Sequence, residues 1–126
     1  GPLLNRIDLS VAIMRNTYQQ INAKVKAERS EQIRKRVERA RCIQDNRNGK
    51  GIFNGKLPVK EIETICNLTR EAKEVLETYF ENKQLSMRGY HRILRVSRTI
   101  ADLDASECVK DRHILEAVSY RGMLDK

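Results

Sequence analysis

The stretch Ser86 to Leu103, SMRGYHRILRVSRTIADL, constrains the fold more than any other. Tyr90, Ile93, Leu94, Ser97, Ile100 and Ala101 recur at three- and four-residue spacing, which writes an apolar face onto a helix. Arg88, His91, Arg92, Arg95 and Arg98 recur at the same spacing on another face. No acid stands between those arginines before Asp102, so intrahelical pairing is not expected to neutralise them. Clustered guanidiniums of this kind suit a phosphate by charge and by forked geometry. The alternative is a solvated helix face.

At 126 residues the chain is one domain or a part of a larger one. Aromatic content is 5% with no Trp, which suits small helices packed through Leu, Ile, Val and Ala. The formal net charge of +8 favours anionic partners, nucleotide or nucleic acid, without choosing between them. Cys42, Cys66 and Cys108 are odd in number, far apart and outside any CxxC pair, so reduced thiols are expected. There is neither a signal-peptide pattern nor an apolar run near membrane-spanning length, so a cytoplasmic protein without membrane association is expected.

Ile7, Leu9, Val11 and Ile13 alternate with Asp8, Ser10, Ala12 and Met14, a period of two that predicts a short extended segment over residues 3–14. Residues 15–29 are polar and irregular and read as a connector. Ser30 is placed to cap a first helix, with Glu31 in its first turn and Ile33, Val37 and Ala40 along its buried stripe. Its other side, Arg34, Lys35, Arg36, Arg39 and Arg41, reads as a solvated basic face, with nucleic-acid contact second. Residues 46–55, rich in Asn and Gly, form the turn that ends this helix. Pro58 opens a short helix with Val59 and Ile62 on its apolar side. Thr69 caps the next helix, which runs to about Lys83, and Ser86 caps the arginine-bearing one. A last helix spans about Lys110 to Tyr120, with Gly122 ending it.

No self-contained active site emerges. Residues 49–57, GKGIFNGKL, fail as a phosphate loop: Lys50 stands where its first Gly belongs, and Leu57 where Ser or Thr belongs. They read as a flexible basic loop. His91 and His113 have no ligand partner at helical spacing, and no metal site is expected.

Two stretches carry a resemblance. LLNRIDL near the start and SMRGYHRILRVSRTIADL near the end, with the basic helix from Ser30 to Arg41 and Ala117 to Arg121 in matching order, resemble the Mg-chelatase-like AAA+ ATPases of the ComM/YifB type. The resemblance implies an all-α fold: a C-terminal helical lid bundle of about four helices over residues 30–126. Residues 1–29 would be the tail of the ATPase core and a connector, loosely ordered, and Gly1-Pro2 would be native sequence. Walker A and B motifs would lie upstream, so this chain alone would bind no cofactor and hydrolyse no ATP. The full-length protein would use ATP and Mg2+.

The resemblance also implies site residues. Arg6 matches an arginine finger that reaches a neighbouring subunit's nucleotide. Such a finger contributes roughly 10³–10⁵ in rate in GTPase systems. Arg88 and Arg95 match the sensor-2 position under two different alignments, and Arg92 lies between them as a further nucleotide-binding candidate. The implied partners are the chain's own upstream core, neighbouring subunits of a homo-oligomeric ring such as a hexamer, and DNA, through branch migration in natural transformation. Asn5 and Ser10 depart from the usual Asp and His, the loop 46–57 is longer than usual, and the usual proline-containing stretch after Met14 is missing. Two other readings stay open: a stand-alone basic helical nucleic-acid-binding module, and the lid of a magnesium chelatase ATPase subunit proper.

Overall fold

The computed structural model describes residues 6–23 and 30–121, and these are almost entirely helical. The order is α1 (Arg6–Ala23), α2 (Ser30–Asn48), a short 3-10 turn (Asn54–Lys56), α3 (Val59–Cys66), α4 (Arg70–Asn82), α5 (Met87–Leu103) and α6 (Asp111–Ser119). The all-α expectation holds, and the helices from α2 onward fall where periodicity and capping residues place them. Pro58 immediately precedes α3 rather than opening it.

α5 is the axis of the bundle. It packs against α1, α2, α3, α6 and the 3-10 turn, while α4 reaches the bundle through α6. Ile93, Leu94, Val96, Ile100, Ala101 and Leu103 of α5 are at most 3% exposed, so burial surrounds its C-terminal half. Val37 and Ala40 of α2, Ile62 of α3, Leu76 of α4 and Ile114 of α6 complete the core. One isolated parallel bridge, Leu68 with Val109, ties the α3–α4 linker to the α5–α6 linker.

The N-terminal segment corrects the sequence reading. Residues 6–23 are one helix, not an extended segment and a connector. The period-two pattern fails where the side chains are described: Val11 is fully buried, yet Ile13 is 50% exposed and Ala12 is buried. The face that packs is Val11, Met14, Arg15 and Tyr18, at helical spacing. A lone strand would leave both its hydrogen-bonding edges unpaired, whereas a helix satisfies its backbone internally. Val11, Met14 and Tyr18 carry this period in the sequence too, in competition with the alternation of Ile7, Leu9, Val11 and Ile13. Gly1 to Asn5, Lys24 to Arg29 and Gly122 lie outside the described residues, as does the C-terminal role expected of Gly122.

The loop after α2 is a second correction. It is firmly hydrogen-bonded rather than flexible. Gly49 and Gly51 take positive φ, 109° and 80°, to turn the chain. The Gly51 amide donates to Asp45 Oδ1 at 2.9 Å, and Asn48 Nδ2 donates to the Ile52 carbonyl at 3.0 Å. Asn54 is fully buried and forms the loop's anchor. Its amide donates to Gln44 Oε1 at 3.0 Å, and its Nδ2 donates to Thr99 Oγ1 at 3.1 Å and Asp102 Oδ2 at 2.9 Å.

Candidate functional site

The arginine stripe of α5 divides in two. Arg88, Arg92 and Arg95, spaced i, i+4 and i+7, follow one face of the helix. His91 and Arg98 turn toward the core, at 9% and 1% exposure. The expectation that all of them share one unneutralised face is therefore corrected.

Arg98 is a structural cation. Its Nε donates to Asp102 Oδ1 at 3.1 Å, and its Nη2 lies 3.0 Å from the same oxygen. Nη1 donates to the Glu107 carbonyl at 3.0 Å and the Ile65 carbonyl at 3.2 Å, while Nη2 reaches the Ser106 carbonyl. Asp102, fully buried, also receives Arg47 through Nη1 at 2.8 Å and Nη2 at 2.9 Å. Burial pulls the Arg98 guanidinium below its ordinary pKa, against the opposing pull of Asp102. The network joins α2, α3 and α5 to the α5–α6 linker and, through Asn54, to the turn after α2. Sequence reasoning missed it because a charge at a core position looks like a charge on a surface until its partners, distant along the chain, are known. The only local signal was the i, i+4 spacing of Arg98 and Asp102.

The other half of the stripe is more open. Arg95 is half-buried, and its Nη2 donates to the Leu57 carbonyl at 2.8 Å, so its head group is already engaged by the loop before α3. Arg92 is also half-buried. Arg88 is exposed and makes no hydrogen bond or ion pair with the described residues. It sits in the first turn of α5, which starts as expected: Ser86 Oγ accepts from the Gly89 amide at 3.1 Å. The first-turn amides of a helix lack intrahelical acceptors and carry the positive end of its dipole. An arginine there opposes the dipole, so the end of α5 concentrates positive potential at one exposed point. Arg6 opens α1, on a different helix from the α5 arginines.

Neighbouring thiols and imidazoles supply no chemistry of their own. Burial pushes the Cys66 thiol up to about 12, and its Sγ donates to the Leu94 carbonyl at 3.4 Å. His91 Nε2 lies 3.5 Å from a Glu63 carboxylate oxygen. Among the described residues no three His, Cys, Asp or Glu side chains converge as metal ligands. No helix among them is long and apolar enough to cross a membrane.

A family model described as magnesium chelatase, subunit ChlI C-terminal, matches residues 27–121. The chain belongs to that family. It is 41% identical over 125 residues to the competence protein ComM of Haemophilus influenzae, covering 98% of this chain and 24% of that protein. It is 38% identical over 124 residues to the protein YifB of Escherichia coli, with the same coverage of each. The chain thus spans about a quarter of the length of the curated relatives it matches. It is a Mg-chelatase C-terminal domain of the kind found in ComM- and YifB-like proteins.

Proposed function

We propose that this domain is the lid of an AAA+ ATPase, closing over ATP held by its own upstream core and coupling hydrolysis to motion of a homo-oligomeric ring, with DNA as the substrate. The observation that carries the reading is the start of α5, where Arg88 is exposed, uncommitted among the described residues, and set in the first turn, at the positive end of the helix dipole. Those groups fit one part of an ATP site, a phosphate oxygen approached from the side opposite the core. When bound, ATP supplies the anhydride whose hydrolysis drives the motion, and Mg2+ on the core screens its charge. This chain's part is to bind and orient a terminal phosphate through Arg88 and to exclude water as α5 closes.

Of the two sensor-2 candidates, Arg88 is the better placed. Arg95 would have to release the Leu57 carbonyl before it could take a phosphate. Arg92 then guides the phosphate along the same face. Arg6 acts in trans on a neighbouring subunit's nucleotide. Family membership and the resemblance to a competence protein support the ATPase and DNA parts of the reading.

The test uses the full-length protein. Arg88→Ala should lower ATP turnover at least about tenfold, a loss of about 1.4 kcal/mol of transition-state stabilisation, and leave the melting temperature unchanged. Arg95→Ala should lower turnover less and cost some stability. If neither substitution changes turnover, the sensor role is wrong.

A further inference from the structure

α1 is seated on the bundle by a buried ionic socket that the proposed ATP chemistry does not use. Arg15 is 8% exposed although it is charged. Its Nη2 meets Asp104 Oδ1 at 2.5 Å, and its Nε lies 3.5 Å from Glu116 Oε2. The socket has hydrogen bonds of its own besides those to Arg15. Asp104 Oδ2 accepts from Arg112 Nη1 at 3.0 Å and lies 2.9 Å from His113 Nε2. The Lys110 amide donates to His113 Nδ1 at 2.9 Å, so Nδ1 is the acceptor and the ring proton of the neutral imidazole sits on Nε2, facing Asp104. Tyr120 donates its hydroxyl to Glu116 Oε2 at 2.5 Å.

Every part of this socket comes from the end of α5 and from α6, and the cation that fills it comes from α1. Both carboxylates meet the one Arg15 guanidinium, and Arg112, the other arginine at Asp104, is mostly exposed, at 58% of its side chain. A second tie lies nearly one turn beyond Arg15, where the Tyr18 and Tyr120 rings meet edge to face with centroids 6.0 Å apart. Arg6 is on the same helix, about two and a half turns before Arg15.

We propose that Arg15 is a positioning residue that latches α1 onto the α5–α6 corner, so that the helix opened by Arg6 and the helix bearing Arg88 move as one rigid body. The structural unit then begins inside α1, upstream of the 27–121 span that defines the family. This rests on the lid reading for its consequence in ATP turnover, but the latch itself is a property of the chain alone.

Amide hydrogen exchange on the 126-residue chain tests the latch without nucleotide. The amides of residues 14–18 should be protected, and Arg15→Met should speed their exchange about tenfold or more while α3 and the centre of α5 keep their rates. Arg15→Lys, which keeps the charge and loses the fork, should fall between. If Arg15→Met leaves the α1 rates unchanged, or speeds exchange equally throughout the chain, the latch is overturned. Should Arg15→Met prevent folding, Asp104→Asn provides the second variant: it keeps the shape of the socket and removes the carboxylate charge nearest Arg15, and it should raise α1 exchange about threefold. No change with Asp104→Asn overturns the latch as well. In the full-length protein Arg15→Met should lower kcat for ATP and leave KM within about twofold, because Arg15 touches no nucleotide. Faster α1 exchange with unchanged kcat overturns the coupling and leaves the Arg88 reading standing. Unchanged turnover in Arg88→Ala overturns that reading, and the exchange experiment still decides the latch.

Discussion

Arg98 and Arg88 are ten positions apart on one helix and have opposite fates. Arg98 spends its donors on Asp102, on the Ile65 carbonyl of α3 and on the Glu107 carbonyl of the α5–α6 linker. Truncating it leaves Asp102 buried with Arg47 as its remaining cation. Arg98→Ala should therefore cost roughly 3 kcal/mol, at the low end for breaking a buried pair, as read by urea unfolding. Against a total of about 5–15 kcal/mol for a domain, that is a large share. Replacing both partners, as Arg98→Met with Asp102→Leu, should cost less than either single change.

Asp104 gives a pH prediction at the same scale. Burial on its own would raise its carboxyl, but the hydrogen bond from His113 and the charge of Arg15 outweigh it and hold the group at about 2. A depressed carboxylate stabilises the fold fully above its ordinary value of 3.8 and loses that stabilisation as pH falls toward 2. Glu116 acts with the opposite sign. Burial raises it, so its protonation favours the fold as pH falls through its raised value. Stability should consequently fall between about pH 4 and pH 2, with a slope of up to about 1.4 kcal/mol per pH unit from the one proton on Asp104. Asp104→Asn should flatten that limb in a series of melting temperatures; an unaltered slope would mean that the socket does not set it.

At the scale of elements, the helix starts and stops obey different degrees of legibility. Thr69 and Ser86 cap α4 and α5 through their hydroxyls, at 3.1 Å in each case, as their positions suggest. Ser86→Ala should cost about 1 kcal/mol and loosen the turn that carries Arg88. The stops are less orthodox. The Ser106 amide returns to the Ala101 carbonyl at 2.8 Å and the Ala105 amide to the Asp102 carbonyl at 2.9 Å, a Schellman ending for α5. Ala105 holds its left-handed position at φ 56°, where glycine is favoured. Gln84 does the same after α4 at φ 47°. Ala105→Gly should accordingly stabilise the domain by up to about 1 kcal/mol, visible as a higher melting temperature. Neither ending carries the glycine that marks a helix stop in a sequence, so the left-handed geometry of the two stops was not legible before the backbone was seen, although the end of α4 near Lys83 was. α1 was misread for a different reason: Val11, Met14 and Tyr18 keep helical spacing, but the alternation of Ile7, Leu9, Val11 and Ile13 offers a competing period of two over the same residues.

At the scale of the whole molecule, much of the positive charge on α2 meets a partner within the chain. Arg34 faces Glu38 at 3.7 Å, Lys35 faces Glu31 at 3.8 Å and Arg41 faces Asp45 at 3.9 Å. Arg39 Nη2 donates to the Leu103 carbonyl at 2.7 Å, and Arg41 lies over the Phe53 ring, 4.6 Å from its centroid. The isolated chain should bind duplex DNA only at the non-specific level, with Kd of about 10⁻⁴–10⁻⁶ M at physiological salt. Tighter, salt-steep binding in a titration at two salt concentrations would favour the stand-alone module instead. The arrangement suits a part that meets its anion across a joint, because its one uncommitted arginine among the α5 candidates sits at the exposed end of its central helix.

The sequence by itself determined the helical class, the order and limits of α2 to α6, two of the caps, and the family through wording that runs along α5. These are local properties: apolar period, a hydroxyl before a helix, a run of residue types. Tertiary structure alone decided which arginines are available. Arg98, Arg15 and Arg47 are consumed by Asp102, Asp104 and Glu116, and the pairings Arg15–Asp104 and Arg47–Asp102 join residues far apart in the chain. A guanidinium reads the same in a sequence whether it meets water, a carbonyl or a carboxylate; only the packing of α1, α2 and α6 around α5 assigns its partner, and with it the difference between a structural cation and one free to hold a phosphate.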